Sequence, residues 1–407
     1  MKTFLSRRLA LAAAATGLLG NTVFAAKPPS PPPPAPSSGT LVLDHKFGGN
    51  GEENFGLTVA PSGIVYSSGT GYASDRSGWH GIVLASDNAG TNWTTMIDDS
   101  PPGVSITYSA GVVSDAAGNL YVGGVAFDET FAQSDHWVVR RSTDGGLTWT
   151  AADDFDMGGF SGAFDPPTGI TADLAGNVYV CGVSAVAGKL SWTIRKGTGG
   201  TSFSTVDIFT MPNSRPEAIF AHPTAGIFTV GYGDIIIKGK ASRAWVMRRS
   251  TDSGANWQTI DTFQLSSGKT AHANGIGADS LGGLYVVGHA FAPSPGGDAS
   301  HWIARKSSNG GASFSTVDDF GTASSARRLI ASPNGALYAA GVTTTSGVNH
   351  LILRKSPGGT GAWATVDDYQ YPGINYIEPR SIAVDGSSNV FVGSGSVQEG
   401  LWVVKKY

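Results

Sequence analysis

The chain has 407 residues, 57 of them glycine, with 41% hydrophobic and only 14% charged residues. That balance argues against disorder and suits a turn-rich β protein. A formal net charge of −4, with no basic stripe along the chain, excludes a nucleic-acid-binding surface.

Residues 1–26 read as an export signal. Lys2, Arg7 and Arg8 form a basic start, Leu9 to Gly20 is a short apolar run, and Val23-Phe24-Ala25 supplies small residues before a cut. The apolar run is too short to cross a bilayer, so no membrane span is expected and the product is periplasmic or extracellular. Ser6-Arg7-Arg8-Leu9 also loosely resembles a twin-arginine signal. Residues 27–40 carry the run P-P-S-P-P-P-P-A-P, which proline holds extended without internal hydrogen bonds, and they read as a semi-rigid linker. The single cysteine, Cys181, sits in the apolar run Val178-Tyr179-Val180-Cys181 and reads as a core residue. Stability must then come from burial rather than from an intrachain disulfide.

From Leu41 to Tyr407 the chain repeats. The stretch H-W-V-V-R-R-S-T-D-G-G-L-T-W (His136 to Trp149) returns from Ala244 to Trp257 and from His301 to Phe314. A recurring Asp near the end of each fourth strand (Asp44, Asp98, Asp153, Asp207, Asp261, Asp318, Asp367) gives a period of 49–57 residues, the length of a propeller blade. Each unit parses into four strands. Strand A resembles Gly169-Ile170-Thr171-Ala172, an Asp-x-x-Gly-Asn turn leads to strand B, strand C carries aromatic and basic residues, and a Ser-x-Asp turn leads to strand D. The repeat opens on a lone strand D, Leu41 to Asp44, and closes on strands A, B and C ending at Tyr407. The first strand is therefore expected to complete the last blade, giving an all-β, seven-bladed propeller of four-stranded antiparallel blades over 41–407.

The turn Ser142 to Trp149 resembles the Asp-box, or bacterial neuraminidase repeat; Ser250 to Trp257 matches it nearly as well. Ser86 to Trp93 and Ser307 to Phe314 carry Asn88 and Asn309 in place of the Asp. Proteins with this repeat include sialidases, other glycan-active enzymes and non-catalytic propellers, and in them the box lies opposite the active site. The resemblance therefore implies that Asp144 and Asp252 are structural. It also implies a sialidase set of three arginines, a Tyr–Glu pair and an Asp acid, which Tyr376, Glu217, Arg328 and Arg380 imitate in part, with Arg215 as a third arginine and Asp75 as an acid. The Arg-Ile-Pro motif of the first blade is absent; Gly51-Glu52-Glu53-Asn54-Phe55 stands there.

Uniform A–B and C–D turns suit architecture, whereas the variable B–C loops on the other face suit function. Aligning the seven strands A puts Phe55, Ala110, Thr168, Glu217, Asn274, Arg328 and Arg380 at equivalent places beside the central channel. Paired arginines suit bidentate capture of a carboxylate, and Glu217 with Tyr376 suits acid–base work. Arg328, Arg380, Arg215, Asn274 and His272 are the candidate ligand-binding residues; Glu217 and Tyr376 are the candidate catalytic ones. The competing reading makes Arg328, Arg380 and Glu217 ion pairs around a wet channel. A His–Tyr–Arg lyase site using His272 or His289 with Tyr376 is a further arrangement on this face. His80, His136, His301 and His350 each precede a turn serine by the same spacing, so they mark a repeat position; no metal site and no cofactor is expected. The main expectation is an exported, monomeric, non-catalytic propeller binding an extracellular glycan, in particular an acidic one, or a protein. The alternative is an extracellular glycan-cleaving enzyme, a sialidase-like hydrolase or a polysaccharide lyase, acting on an acidic saccharide.

Overall fold

The computed structural model describes residues 38–45, 53–72, 78–99, 103–128, 135–158, 167–186, 189–359, 362–396 and 398–407. The expected export signal (1–26), most of the expected linker (27–40) and Asp75 lie outside these residues. The described strands form seven four-stranded antiparallel sheets arranged as the blades of a propeller. In blade four, for example, strands A to D are Arg215–His222, Gly226–Ile237, Lys240–Ser250 and Gln258–Phe263. The ring closes as the repeat predicts: Thr40–His45 pairs antiparallel with Leu401–Lys406 and supplies the outer strand of blade seven.

Strands B and C are covered on both sides by neighbouring blades, which explains their continuous apolar runs. Val178, Tyr179, Val180 and Cys181 of blade three are all buried, and burial pushes the Cys181 thiol up to about 12. Trp137, Trp192, Trp245, Trp302 and Trp402, at a single strand-C position in five of the seven blades, are also buried and serve as core. Strand D is outermost and half wet. On the turn face, the Ser142 hydroxyl donates to Asp144 Oδ1 (2.8 Å), the Thr148 amide donates to the same oxygen (2.9 Å), and the Trp149 indole donates to the Gly146 carbonyl (2.9 Å). Asp252 repeats the pattern with Ser250 and Asn256. These donors, first the Thr148 hydroxyl and the Asn256 amide, hold both carboxyls down at about 2. Both aspartates are turn residues.

A second repeated device joins the blades. A β-bulge in the C–D pairing aims an Asp of strand D at a cation on strand C of the next blade. Asp153 takes Arg195 (2.6 Å), Asp207 takes Arg248 (2.7 Å), Asp318 takes Arg354 (3.0 Å), and Asp261 and Asp367 take Arg305 and Lys405. An aromatic from the preceding strand D lies over each cation, such as Phe155 at 4.2 Å from Arg195 and Phe209 at 4.1 Å from Arg248.

The first two members of the Asp series depart from the sequence alignment. In register, Val83 faces Ile97, as Val139 faces Asp153, so Asp98 sits one place too far along and Ile97 holds the equivalent position. Asp98 instead meets His80 at 2.5 Å, just as His136, His301 and His350 meet Asp154, Asp319 and Asp368. In blade one Asp99, which replaces the aromatic, takes Arg140 at 2.9 Å. In blade seven the equivalent of the clamp Asp is Leu43, opposite Val404, and Asp44 accepts the Tyr371 phenol at 2.7 Å. Leu43 packs against the cluster that holds Leu84, so the closing seam is apolar where the other junctions are charged.

Candidate functional site

Strands A line the central channel. Most carry a bulge as they begin, on the face of the B–C loops, and the bulge turns one extra side chain inward. The extra residue is Phe55 in blade one, Glu217 in blade four, Asn274 in blade five, Arg327 in blade six and Arg380 in blade seven. A glycine on strand B makes room for it. A Cβ on Gly231 or Gly288 would lie 2.0 Å from the carbonyl oxygen of Arg215 or His272.

The register corrects the sequence alignment in blade six. Arg327, not Arg328, is the counterpart of Glu217, Asn274 and Arg380; Arg328 pairs with Ala340 as Ala218 pairs with Val230. The alignment slipped because two arginines are adjacent and neither is hydrophobic enough to mark the inward face. Arg328 therefore stands where the other blades place Gly56, Ala218, Gly275 and Ser381. Its guanidinium bridges the two flanking blades, donating to the carbonyls of Arg380 (2.5 Å), Asn274 (3.1 Å) and its own neighbour Arg327 (3.0 Å). Burial lowers its pKa to about 10, with Glu217 opposing the shift. The channel at this level is a cavity of about 190 Å³ lined by Phe55, Thr168, Glu217, Arg328 and Arg380 among others. Arg328 reads as a strut between blades rather than half of a carboxylate clamp.

At the mouth above it, two clusters meet. The first is a chain of ion pairs. Arg380 bonds Glu53 at 3.1 Å and lies 3.6 Å from Glu378, while Arg327 bonds the other oxygen of Glu378. Both carboxylates are buried. Arg327 and then Arg380 hold Glu378 below the usual carboxylate range against the opposing effect of its burial. Tyr376, 42% exposed, lies beside Glu378, and burial together with that carboxylate raises its pKa. The carboxylate partner of Tyr376 is thus Glu378; Glu217 instead lies 3.6 Å from Arg215 of its own strand.

The second cluster spans blades four and five. Arg243 lies over the Tyr232 ring (4.6 Å), Tyr232 lies 4.1 Å from the His272 ring, and His272 stacks on His289 (4.7 Å, 23° between planes). Asp234 flanks Arg243 at 3.7 Å. His272 and His289 face each other across strands A and B of blade five. Burial, the neighbouring imidazole, Arg243 and Arg327 drop His272 to about 3; burial and Arg327 drop His289 to about 4. Both rings are neutral in water of ordinary pH. Arg327 influences both histidines and Tyr376, so it links the two clusters electrostatically.

Of the residues expected from sequence, Arg380, Tyr376, His272 and Asn274 come together here with Arg327, Glu378 and Glu53. Asn274 is buried behind His289. Arg215 and Glu217 stand on strand A of blade four as a pair. Tyr232, Arg243 and Glu378 were not singled out as site residues, although Arg-Pro-Glu (Arg215 to Glu217) and Glu-Pro-Arg (Glu378 to Arg380) are a visible charge reversal at one repeat position. Among the described residues no group of three or more His, Cys, Asp or Glu side chains is arranged to hold a metal ion.

No family model matches the chain, and no curated protein shows significant similarity to it. Solved structures do. A polysaccharide lyase of family PL25, an ulvan lyase, superposes with a TM-score of 0.57 at 11% identity, covering 89% of this chain and 95% of that one. The GH93 α-L-arabinofuranosidase of Fusarium graminearum, solved with arabinobiose, gives 0.54 at 10% identity, covering 90% and 97%. The Hadza microbial sialidase Hz136 gives 0.50 at 13% identity, covering 90% of this chain and 68% of that one. At these identities the likeness is one of fold, and what it establishes is a seven-bladed β-propeller.

Proposed function

We propose that this protein is an exported glycan-cleaving enzyme, a polysaccharide lyase acting on a uronate-containing saccharide at the mouth formed by blades four to seven. The observation that carries this reading is the column Arg243–Tyr232–His272–His289, with Arg327 beside it. Eliminative cleavage needs cations and donors to neutralise a carboxylate, a neutral base for the proton beside it, and a proton donor for the departing oxygen. Arg243 and Arg327 supply the cations. His272 takes the C5 proton, the C–H electrons form the C4=C5 double bond, the C4–O bond breaks, and the Tyr232 phenol protonates the leaving oxygen. Burial and the neighbouring imidazole depress His272 first; a bound carboxylate offsets the further effect of Arg243 and Arg327 and so raises its basicity. Propellers of this architecture serve as scaffolds for an ulvan lyase and for an α-L-arabinofuranosidase, which favours the enzyme over the non-catalytic binding module.

The second reading is a sialidase-like hydrolase built on Tyr376 and Glu378, favoured by their closeness. An ionised Glu378 suits the base of a Tyr–Glu pair, but that carboxylate is already engaged by Arg327 and Arg380, and Asp75, the expected acid, lies outside the described residues. The test is to incubate the purified protein with ulvan and other uronate polysaccharides and follow the ultraviolet absorbance of the unsaturated product. His272→Ala and Tyr232→Phe should abolish it while Tyr376→Phe leaves it. New reducing ends without unsaturation would favour the hydrolase, and no cleavage of any acidic glycan would return the protein to the binding-module reading.

A further inference from the structure

Asn274 occupies the bulge position of blade five, where blades four and seven have the charged Glu217 and Arg380. Its side chain is 4% exposed and does not face solvent. The amide Nδ2 donates to the Ala326 carbonyl at 2.7 Å, and a carbonyl only accepts, so this contact fixes which end of the amide points there. The same Nδ2 lies 3.3 Å from His289 Nδ1 with its second hydrogen available. The Ser325 hydroxyl approaches that nitrogen from blade six at 3.2 Å. The backbone of His289 is held in turn by the Trp245 indole, which donates to its carbonyl at 3.0 Å. A protonated Nδ1 would point its hydrogen at an amide NH2 group, donor against donor. An unprotonated Nδ1 offers its lone pair to both neighbours.

We propose that Asn274, with Ser325, locks His289 as the tautomer protonated at Nε2, which makes His289 a fixed hydrogen-bond donor and leaves the proton-accepting role to His272. This deepens the lyase reading and its catalytic part rests on it. A neutral imidazole N–H aimed at the substrate carboxylate stabilises the charge that builds there once the C5 proton leaves, without itself being ionised. The charged groups around His289 agree with a neutral ring. Burial and Arg327 disfavour a second proton on the ring, and Glu378, the carboxylate that opposes them, is engaged by Arg327 and Arg380. Asn274 is on this account a positioning residue that acts through His289.

The test is a ¹⁵N–¹H correlation spectrum of the ¹⁵N-histidine-labelled protein without substrate, with the His289 signals assigned by their loss in His289→Gln. The expected spectrum has Nδ1 in the range of an unprotonated ring nitrogen and Nε2 in that of a protonated one. Asn274→Asp should move the proton to Nδ1, because a carboxylate accepts from it, and lower turnover by about 100-fold or more, the size seen when a donor to a developing anion is lost. Ser325→Ala, which leaves the Asn274 contact in place, should keep the tautomer. If Asn274→Asp does not fold, the wild-type spectrum with Ser325→Ala decides alone. A wild-type His289 carrying its proton on Nδ1, or exchanging between the two forms, overturns the assignment. The expected tautomer in a protein that cleaves no uronate removes the lyase reading and leaves the assignment standing.

Discussion

The charged clamps between blades make a quantitative prediction, because the molecule contains its own control at the closing seam. Arg248 and Asp207 meet in two bonds of 2.7 and 3.1 Å with side chains only 7% and 12% exposed. Burial nevertheless lifts Asp207 to about 6 and lowers Arg248, so desolvation outweighs the pairing for both partners. Truncating one partner strands the other. Asp207→Leu leaves a guanidinium with Phe209 at 4.1 Å and no carboxylate, and should cost about 3–5 kcal/mol. Asp207→Leu with Arg248→Leu copies the Leu43–Leu84 seam and should come within about 1.5 kcal/mol of the parent, as apolar replacement of a buried pair does. Equilibrium urea unfolding of the four proteins in a double-mutant cycle measures the coupling. Additive losses, with the double variant as damaged as the sum of the singles, would refute the argument that the pair is held against its own desolvation.

Further expectations follow from the mouth and the channel. Gly288→Ala sets a methyl against the His272 carbonyl, so it should destabilise by about 1–3 kcal/mol and weaken any activity, read by thermal melting and by the product assay. His272 and His289 titrate in the folded protein at about 3 and 4, below the unfolded value, so they bind fewer protons folded than unfolded between roughly pH 6.5 and pH 4. Their contribution is complete above the unfolded value and lost as pH falls through that window. A His272→Gln/His289→Gln protein should show a flatter melting temperature across it. Arg328→Met removes the donor shared by three carbonyls and should lower stability by about 1–3 kcal/mol while leaving affinity for an acidic glycan within a few-fold. A complete loss of binding in that variant would restore Arg328 to the ligand site.

The architecture was legible because it is written many times over. The tryptophan of strand C, the Ser-x-Asp turn and the orphan first strand each follow from period and pattern, and each has its expected place. What failed in the alignment failed where the repeat breaks. Asp98 and Asp44 imitate the clamp Asp by lying one residue away from it in strands that carry Ile97 and Leu43 there. Arg328 imitated the bulge residue because a bulge adds one residue to one strand only, and two adjacent arginines give no pattern by which to place it. Tyr232 was hidden for another reason: it lies on strand B of blade four, and only the closeness of the neighbouring blade makes it a partner of His272. Glu378, two residues from Tyr376 in the chain, was within reach of the sequence.

The outer strand of blade seven comes from the opposite end of the chain to the three strands it completes, and Thr40 pairs with Lys406. Contacts of such sequence separation form late, because closing so long a loop costs entropy before any pairing repays it. Until then Leu401–Lys406 is an edge strand with an open row of amides and carbonyls, and Thr40–His45 is a strand without a sheet. The ring is therefore most exposed to mispairing between copies just before it shuts. The seam at which it shuts relies on Leu43 packing into the cluster that holds Leu84, a contact that tolerates approach from many directions, where a bidentate ion pair would demand one.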